Sequence, residues 1–149
     1  MSAQIISGKD IASEIRAELT TEVARLKDEL GVTPGLATVL VGEDPGSQMY
    51  VGMKNKAAAA MGIHSRQITL PADTPEDELL GVVAGLNADA DIHGILVQSP
   101  LPDHINEGRI VESIDPEGPY GAKEAGEGPL PLAVHLPWGM VASGRICLV

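Results

Sequence analysis

The sequence predicts an α/β domain, with a mainly parallel sheet and helices on both of its faces. Three observations carry this. Two short runs, Leu36-Ala37-Thr38-Val39-Leu40-Val41 and Ile92-His93-Gly94-Ile95-Leu96-Val97, are almost continuously apolar, as strands buried on both faces are. Other stretches repeat their apolar residues every three or four positions, the period of a helix with one buried face. The two kinds of segment alternate, and parallel strands need helical crossovers of that sort.

Taken in order, Ser7 can cap a first helix, with Asp10 at the position of a capping-box acid. Ile11, Ile15, Leu19, Val23, Leu26 and Leu30 form one apolar stripe, and Gly31 is a C-cap. Pro34-Gly35 is a turn into the first apolar strand. Gly42-Glu43 leads to a second helix, where Asp44 can cap the free amides and Pro45 fits the first helical position. Gly62 can take the left-handed conformation that ends it. Residues 63–70 are more polar and read as a strand nearer the sheet edge. Thr74-Pro75-Glu76-Asp77 reads as another cap, ahead of a helical face of Leu79, Leu80, Val83 and Leu86. The second apolar strand runs into Gln98-Ser99-Pro100-Leu101-Pro102, and a further helix is expected over 105–113. From about Pro116 the texture changes. Residues 117–138 are rich in Gly and Pro and read as loop or disorder, and the apolar end at 145–149 stops abruptly.

A chain of 149 residues allows one domain with a real core, or one domain and part of another. Its apolar fraction of 44% and charged fraction of 21% are ordinary for a globular protein. Phe is absent and aromatic residues make up 2%, so the core must be aliphatic. A net charge of -11 argues against nucleic acid as a partner, because phosphate binding needs clustered Lys and Arg. Cys147 is the single cysteine, which excludes an intramolecular disulfide. His64, His93, His104 and His135 lack metal-ligand spacing, so no metal is expected. No stretch is long enough to span a bilayer, the first residues show no basic flank before a long apolar run, and the cytoplasm is the expected compartment.

In parallel sheets ligands sit beyond the carboxyl ends of the strands. The loops 42–46 and 98–102 both follow apolar strands, so they should share that edge, with the start of the second helix beside them. Tyr50 and Lys54, four apart, project a phenol and an amine from one helix face. Lys54 has two readings: a general acid/base if burial lowers its pKa, or a solvated surface lysine. Tyr50 can stack on a planar ligand or can be a half-buried packing residue. Gln98 can hold an amine or a ligand carbonyl, or can be a plain strand-end polar residue. Pro100 and Pro102 stiffen their loop, and Ser47 has the bland reading of a first-turn residue. Asp10, Asp44 and Asp77 read as helix-start residues, and His93 as a packed core histidine. Residues 42–46 lack the Lys-Ser/Thr ending of a phosphate loop.

At these residues a family resemblance becomes specific. Val41-Gly42, Ser47, Tyr50-Val51, Lys54, Lys56-Ala57 and Gly62-Ile63 resemble the signature of the bifunctional methylenetetrahydrofolate dehydrogenase/methenyltetrahydrofolate cyclohydrolase family. Gly94-Ile95-Leu96-Val97-Gln98 followed by Pro100-Leu101-Pro102 resembles the family's second block. Ser99 stands where an apolar residue is more usual. The resemblance implies the folate-binding N-terminal domain over residues 1–117, with a place in one-carbon metabolism and purine biosynthesis. It implies oxidation of 5,10-methylenetetrahydrofolate with NADP as cofactor, then hydrolysis of the methenyl form to 10-formyltetrahydrofolate. It also implies roles for single residues. Lys54 would be the general acid/base of hydrolysis, and Gln98 would orient it and tune its pKa. Tyr50 would stack on the folate ring, with Ser47, Pro100 and Leu101 completing the substrate-binding set. The implied assembly is a homodimer.

Two departures set residues 118–149 apart as an aberrant tail. The family has an Asp-Val-Asp-Gly segment whose aspartate anchors the pterin, whereas this chain reads Gly118-Pro119-Tyr120-Gly121-Ala122-Lys123. The family then has a Pro-Cys-Thr-Pro turn, and this chain reads Ala133-Val134-His135-Leu136. Codons for those four residues, shifted forward by one base, can read Pro-Cys-Thr, so the tail is expected to be out of frame. The glycine-rich NADP-binding domain is expected to be missing. Dehydrogenase turnover should then be lost, and folate binding weakened by about 1.5–3 kcal/mol for one missing charged hydrogen bond. The alternative to an impaired enzyme is a non-catalytic folate-binding or inert fragment. An amino-acid dehydrogenase domain of similar architecture does not account for both blocks.

Overall fold

The computed structural model describes residues 7–115 and the backbone of residues 147–148. The elements run α1 (Gly8–Leu30), β1 (Gly35–Val41), α2 (Pro45–Ala60), β2 (His64–Leu70), α3 (Glu76–Ala88), β3 (Gly94–Val97), α4 (Glu107–Ser113) and β4 (Cys147–Leu148). The sheet order is β2-β1-β3-β4, and every pair is parallel. The α/β architecture is therefore the expected one, with the polar strand β2 at one edge.

The helix ends follow their local chemistry. Ser7 accepts a hydrogen bond from the Asp10 amide at 3.3 Å, and Gly31 closes α1 with φ 68°. Asp44 accepts from the Ser47 amide at 2.7 Å, Pro45 opens α2, and Gly62 follows its end with φ 82°. At the start of β1, a Cβ on Gly35 would lie 1.8 Å from the Asp91 carbonyl oxygen, so only glycine lets the two backbones approach.

Alternation along β1 sends its residues to two helical layers. Ala37, Val39 and Val41 join Ile95 and Val97 against Leu79, Val83 and Leu86 of α3 and Ile110 of α4, with Ile114 just beyond it. Thr38 faces the other way, where its hydroxyl meets Asn55 of α2. The near-continuous apolar run is explained: both faces of this strand are covered.

Four details differ from the sequence reading. The α1 stripe is buried only at Val23 and Leu26, while Ile11, Ile15 and Leu30 are exposed, because the described residues cover the helix only around those two positions. Thr74 does not cap α3. Its hydroxyl donates back to the Pro71 carbonyl at 2.7 Å, and the helix amides of Glu78 and Leu79 turn to Pro75 instead. β3 begins at Gly94 rather than Ile92, since His93 Nδ1 takes the Gly35 amide at 3.0 Å where a ladder bond would form. α4 starts at Glu107, two residues later than the expected 105, because Asn106 caps it by accepting from the Arg109 amide at 3.1 Å. The expectations for residues 118–149 lie outside the described residues, apart from residues 147–148. Those two pair with Ile95 and Leu96, so there the apolar end is strand rather than irregular.

Candidate active site

The site is built where α2, packed on β1 and β2, reaches across to the loop that follows β3. Gln98 is the first residue past β3, and its amide still donates to the Val39 carbonyl at 2.8 Å, as if the ladder continued. That fixes the backbone from which the side chain projects. Lys54 Nζ donates to Gln98 Oε1 at 3.1 Å, across 44 residues of chain. The other end of the same amide, Nε2, donates to the Ser99 carbonyl at 2.6 Å. Lys54 is exposed and Gln98 half-buried, so the pair lies at an open wall of the domain, and the burial on which the acid/base reading of Lys54 is conditional is not supplied by the described residues. Tyr50 stands one turn before Lys54 on the same helix and is 53% exposed, leaving a ring face free for a planar group.

The other candidates fall in different surroundings. Ser47 is only 4% exposed, and its amide and hydroxyl both turn to the Asp44 carboxylate. These bonds, the amide's first, hold the Asp44 carboxyl below the usual carboxylate range. Leu101 packs against the core, and Pro100 is exposed at the loop tip. The structure thus brings Lys54, Gln98 and Tyr50 to one side, while Ser47 serves the start of their helix.

Two polar groupings escaped the sequence reading. Asn55, next to Lys54, accepts from Thr38 Oγ1 and Ser65 Oγ at 3.0 Å each and donates to Gln67 Oε1 at 2.7 Å. It ties α2 to β1 and β2 and so sets the helix rotation that aims Lys54. The available signal was Thr38 inside an apolar run, with Ser65, Gln67 and Thr69 alternating along β2. The second grouping joins Ser99 Oγ to the Glu107 carboxylate in the first turn of α4.

Away from this site, a groove of about 410 Å³ lies between α1 and α2, lined by Arg16, Thr20, Lys56, Ala57 and Met61 among others. Among the described residues no group of three or more His, Cys, Asp or Glu could hold a metal ion, and no helix is long and apolar enough to cross a membrane.

The family profile described as tetrahydrofolate dehydrogenase/cyclohydrolase, catalytic domain, matches residues 6–118. The chain belongs to this family. Among curated relatives, the bifunctional protein FolD of Geotalea daltonii is 56% identical over 115 residues, 77% of this chain and 41% of the relative. FolD 2 of Geobacter metallireducens is 59% identical over 112 residues, 75% of this chain and 39% of the relative. Among solved structures, the FolD methylenetetrahydrofolate dehydrogenase/cyclohydrolase of Campylobacter jejuni superposes with TM-score 0.71 at 43% identity, covering 73% of this chain and 38% of that one. The Trypanosoma brucei FolD, solved with NADP and an inhibitor, gives TM-score 0.74 at 41% identity, covering 79% and 40%. The chain therefore spans about two fifths of the length of these tetrahydrofolate dehydrogenase/cyclohydrolase relatives. All six candidate site residues fall within the matched segment.

Proposed function

We propose that residues 1–117 form a folate-binding catalytic domain that hydrolyses 5,10-methenyltetrahydrofolate to 10-formyltetrahydrofolate, with Lys54 as general acid/base. The observation that carries this is the 3.1 Å bond from Lys54 Nζ to Gln98 Oε1. In the proposed reaction the folate ring system lies on Tyr50, with its cationic methenyl carbon over Lys54. Water attacks that carbon, and the amine form of Lys54 accepts the proton released. The resulting ammonium then returns a proton to the ring nitrogen as its bond to the carbon breaks, while the adduct's hydroxyl oxygen becomes the formyl carbonyl and its proton passes to solvent water. Gln98 Oε1 aims the Nζ lone pair or proton through these steps. Ser47 contributes by fixing the start of α2, and Pro100 and Leu101 by shaping the loop that carries Gln98.

In the family NADP accepts the hydride of the preceding oxidation. The described residues do not fit that cofactor. Every helix N-terminus among the described residues, the kind of site that takes a pyrophosphate, carries a carboxylate instead: Asp10 in α1, Asp44 before α2, Glu76, Asp77 and Glu78 in α3, and Glu107 in α4. No hydride step is assigned to these residues. A homodimer in the cytoplasm is the proposed assembly and compartment, with gel filtration testing the first. Residues 118–149 are proposed to be out of frame, because two family motifs are replaced there. Sequencing the coding DNA tests this, and a shifted frame without Pro-Cys-Thr at 133–135 contradicts it.

A second reading, folate binding without turnover, is favoured by one observation: the segment 118–123 lacks the family's pterin-anchoring aspartate. Loss of methenyl absorbance above the buffer rate supports the enzyme. Calorimetric folate binding with hydrolysis at the buffer rate supports the binding module instead, and the absence of both contradicts each.

A further inference from the structure

We infer that Ser99 and Glu107 are positioning residues that lock the orientation of the Gln98 amide, and through it the aim of Lys54. Their effect on turnover rests on the function proposed above; their effect on Gln98 does not. The Glu107 carboxylate accepts the Ser99 hydroxyl. The carbonyl of the same Ser99 accepts Gln98 Nε2 at 2.6 Å, and Gln98 Oε1 accepts Lys54 Nζ at 3.1 Å. One line of hydrogen bonds therefore runs from α4 to α2.

The lock matters because the two ends of a glutamine amide are nearly alike in shape and opposite in hydrogen bonding. Half a turn about the last torsion would put Nε2 against Lys54 Nζ, donor facing donor. The bond from Nε2 to the Ser99 carbonyl opposes that turn for as long as the carbonyl stays in place. Glu107 holds Ser99 in place from a helix whose own position is set by Ile110, fully buried in the core. Val97, Leu101, Ile110 and Val111 close in around the hydroxyl and the carboxylate, and the space between leaves no room for a water molecule. Both residues are half-buried, so solvent reaches only their outer sides, and removing one takes away the direct bond that holds the other. An apolar residue at position 99 would have no group to offer Glu107, so this device depends on the serine found here.

The test uses the full chain labelled with ¹⁵N, with the Gln98 side-chain amide signals assigned by their loss in Gln98→Leu. Ser99→Ala and Glu107→Ala are expected to turn those signals from rigid to mobile, with order parameters falling below about 0.6. Glu107→Gln, which keeps an acceptor, and Ser99→Thr, which keeps the hydroxyl, are expected to restore rigidity. Glu112→Gln, an exposed charge on the same helix, should leave the signals unmoved. In hydrolysis, both alanine variants should lower kcat about tenfold with KM little changed. Rigid Gln98 signals in both alanine variants overturn the inference, whatever the activity, as does an active parent whose kcat neither variant lowers. If the parent does not hydrolyse folate, mobile signals still support the lock, and only the proposed function fails. If Glu107→Ala does not fold, Ser99→Ala decides alone, since it removes a single hydroxyl.

Discussion

Lys54 of α2 and Gln98 of the loop after β3 meet at 3.1 Å, although 44 residues separate them in sequence. The bond runs from an amine donor to a neutral amide acceptor, so it aims the amine. Replacing Gln98 by Leu keeps the bulk and removes the acceptor. The expected result is a fall in kcat of about ten- to a hundredfold, with stability nearly unchanged because the pair is open to solvent. Steady-state hydrolysis kinetics beside a urea titration check both halves.

Asn55 carries the rotation of α2. Thr38, whose side chain is fully buried, gives its hydroxyl proton to Asn55 Oδ1, so Asn55→Leu strands a buried donor. A loss of about 1–3 kcal/mol in urea unfolding is expected, together with lower hydrolytic activity, because the helix bearing Lys54 is no longer pinned to β1 and β2. Unchanged stability would mean that Thr38 finds another partner.

Glycine substitutions should separate two kinds of position. Gly35→Ala sets a methyl group against the Asp91 carbonyl, a backbone atom that cannot swing aside, and a strong loss of folded protein is expected. Gly85→Ala adds its methyl within α3 at a point with nothing within 4 Å, and should stabilise by about 0.5–1 kcal/mol. Thermal melts of the two variants give opposite signs.

The pH dependence of α2 follows from Asp44. Its folded-state pKa is depressed, first by the Ser47 amide and then by the Ser47 hydroxyl. The stabilisation is therefore fully present above the ordinary carboxylate range and is lost as pH falls through the depressed value. NMR titration should show the Asp44 carboxyl and the Ser47 amide moving together below that range. Asp44→Asn, which keeps a capping oxygen, should remove this step.

The sheet was legible because burial on both faces leaves its mark in sequence. Residues 36–41 are almost wholly apolar, and the one polar member, Thr38, is the residue that meets Asn55. Capping was legible where the side chain acts three residues ahead, as at Ser7 and Asp44, and failed at Thr74, whose hydroxyl turned backwards. Periodicity marks the whole apolar stripe of α1 but cannot say where a neighbour stops, so Ile11 and Ile15 belong to the stripe and are exposed. In the site, Lys54, Tyr50 and Gln98 could be proposed from helix spacing and strand ends, with the family signature deciding among their readings. Ser99 with Glu107, and Asn55 with Ser65 and Gln67, depend on loops and layers folding onto one another, which no local pattern records.

The most direct measurement is hydrolysis of 5,10-methenyltetrahydrofolate by this chain and by Lys54→Ala, with folate binding followed by calorimetry on the same samples. General acid/base catalysis by Lys54 predicts hydrolysis above the buffer rate, a fall of about 100- to 10,000-fold in the variant, and folate binding retained in both. Equal hydrolysis above the buffer rate by the chain and by Lys54→Ala would contradict it.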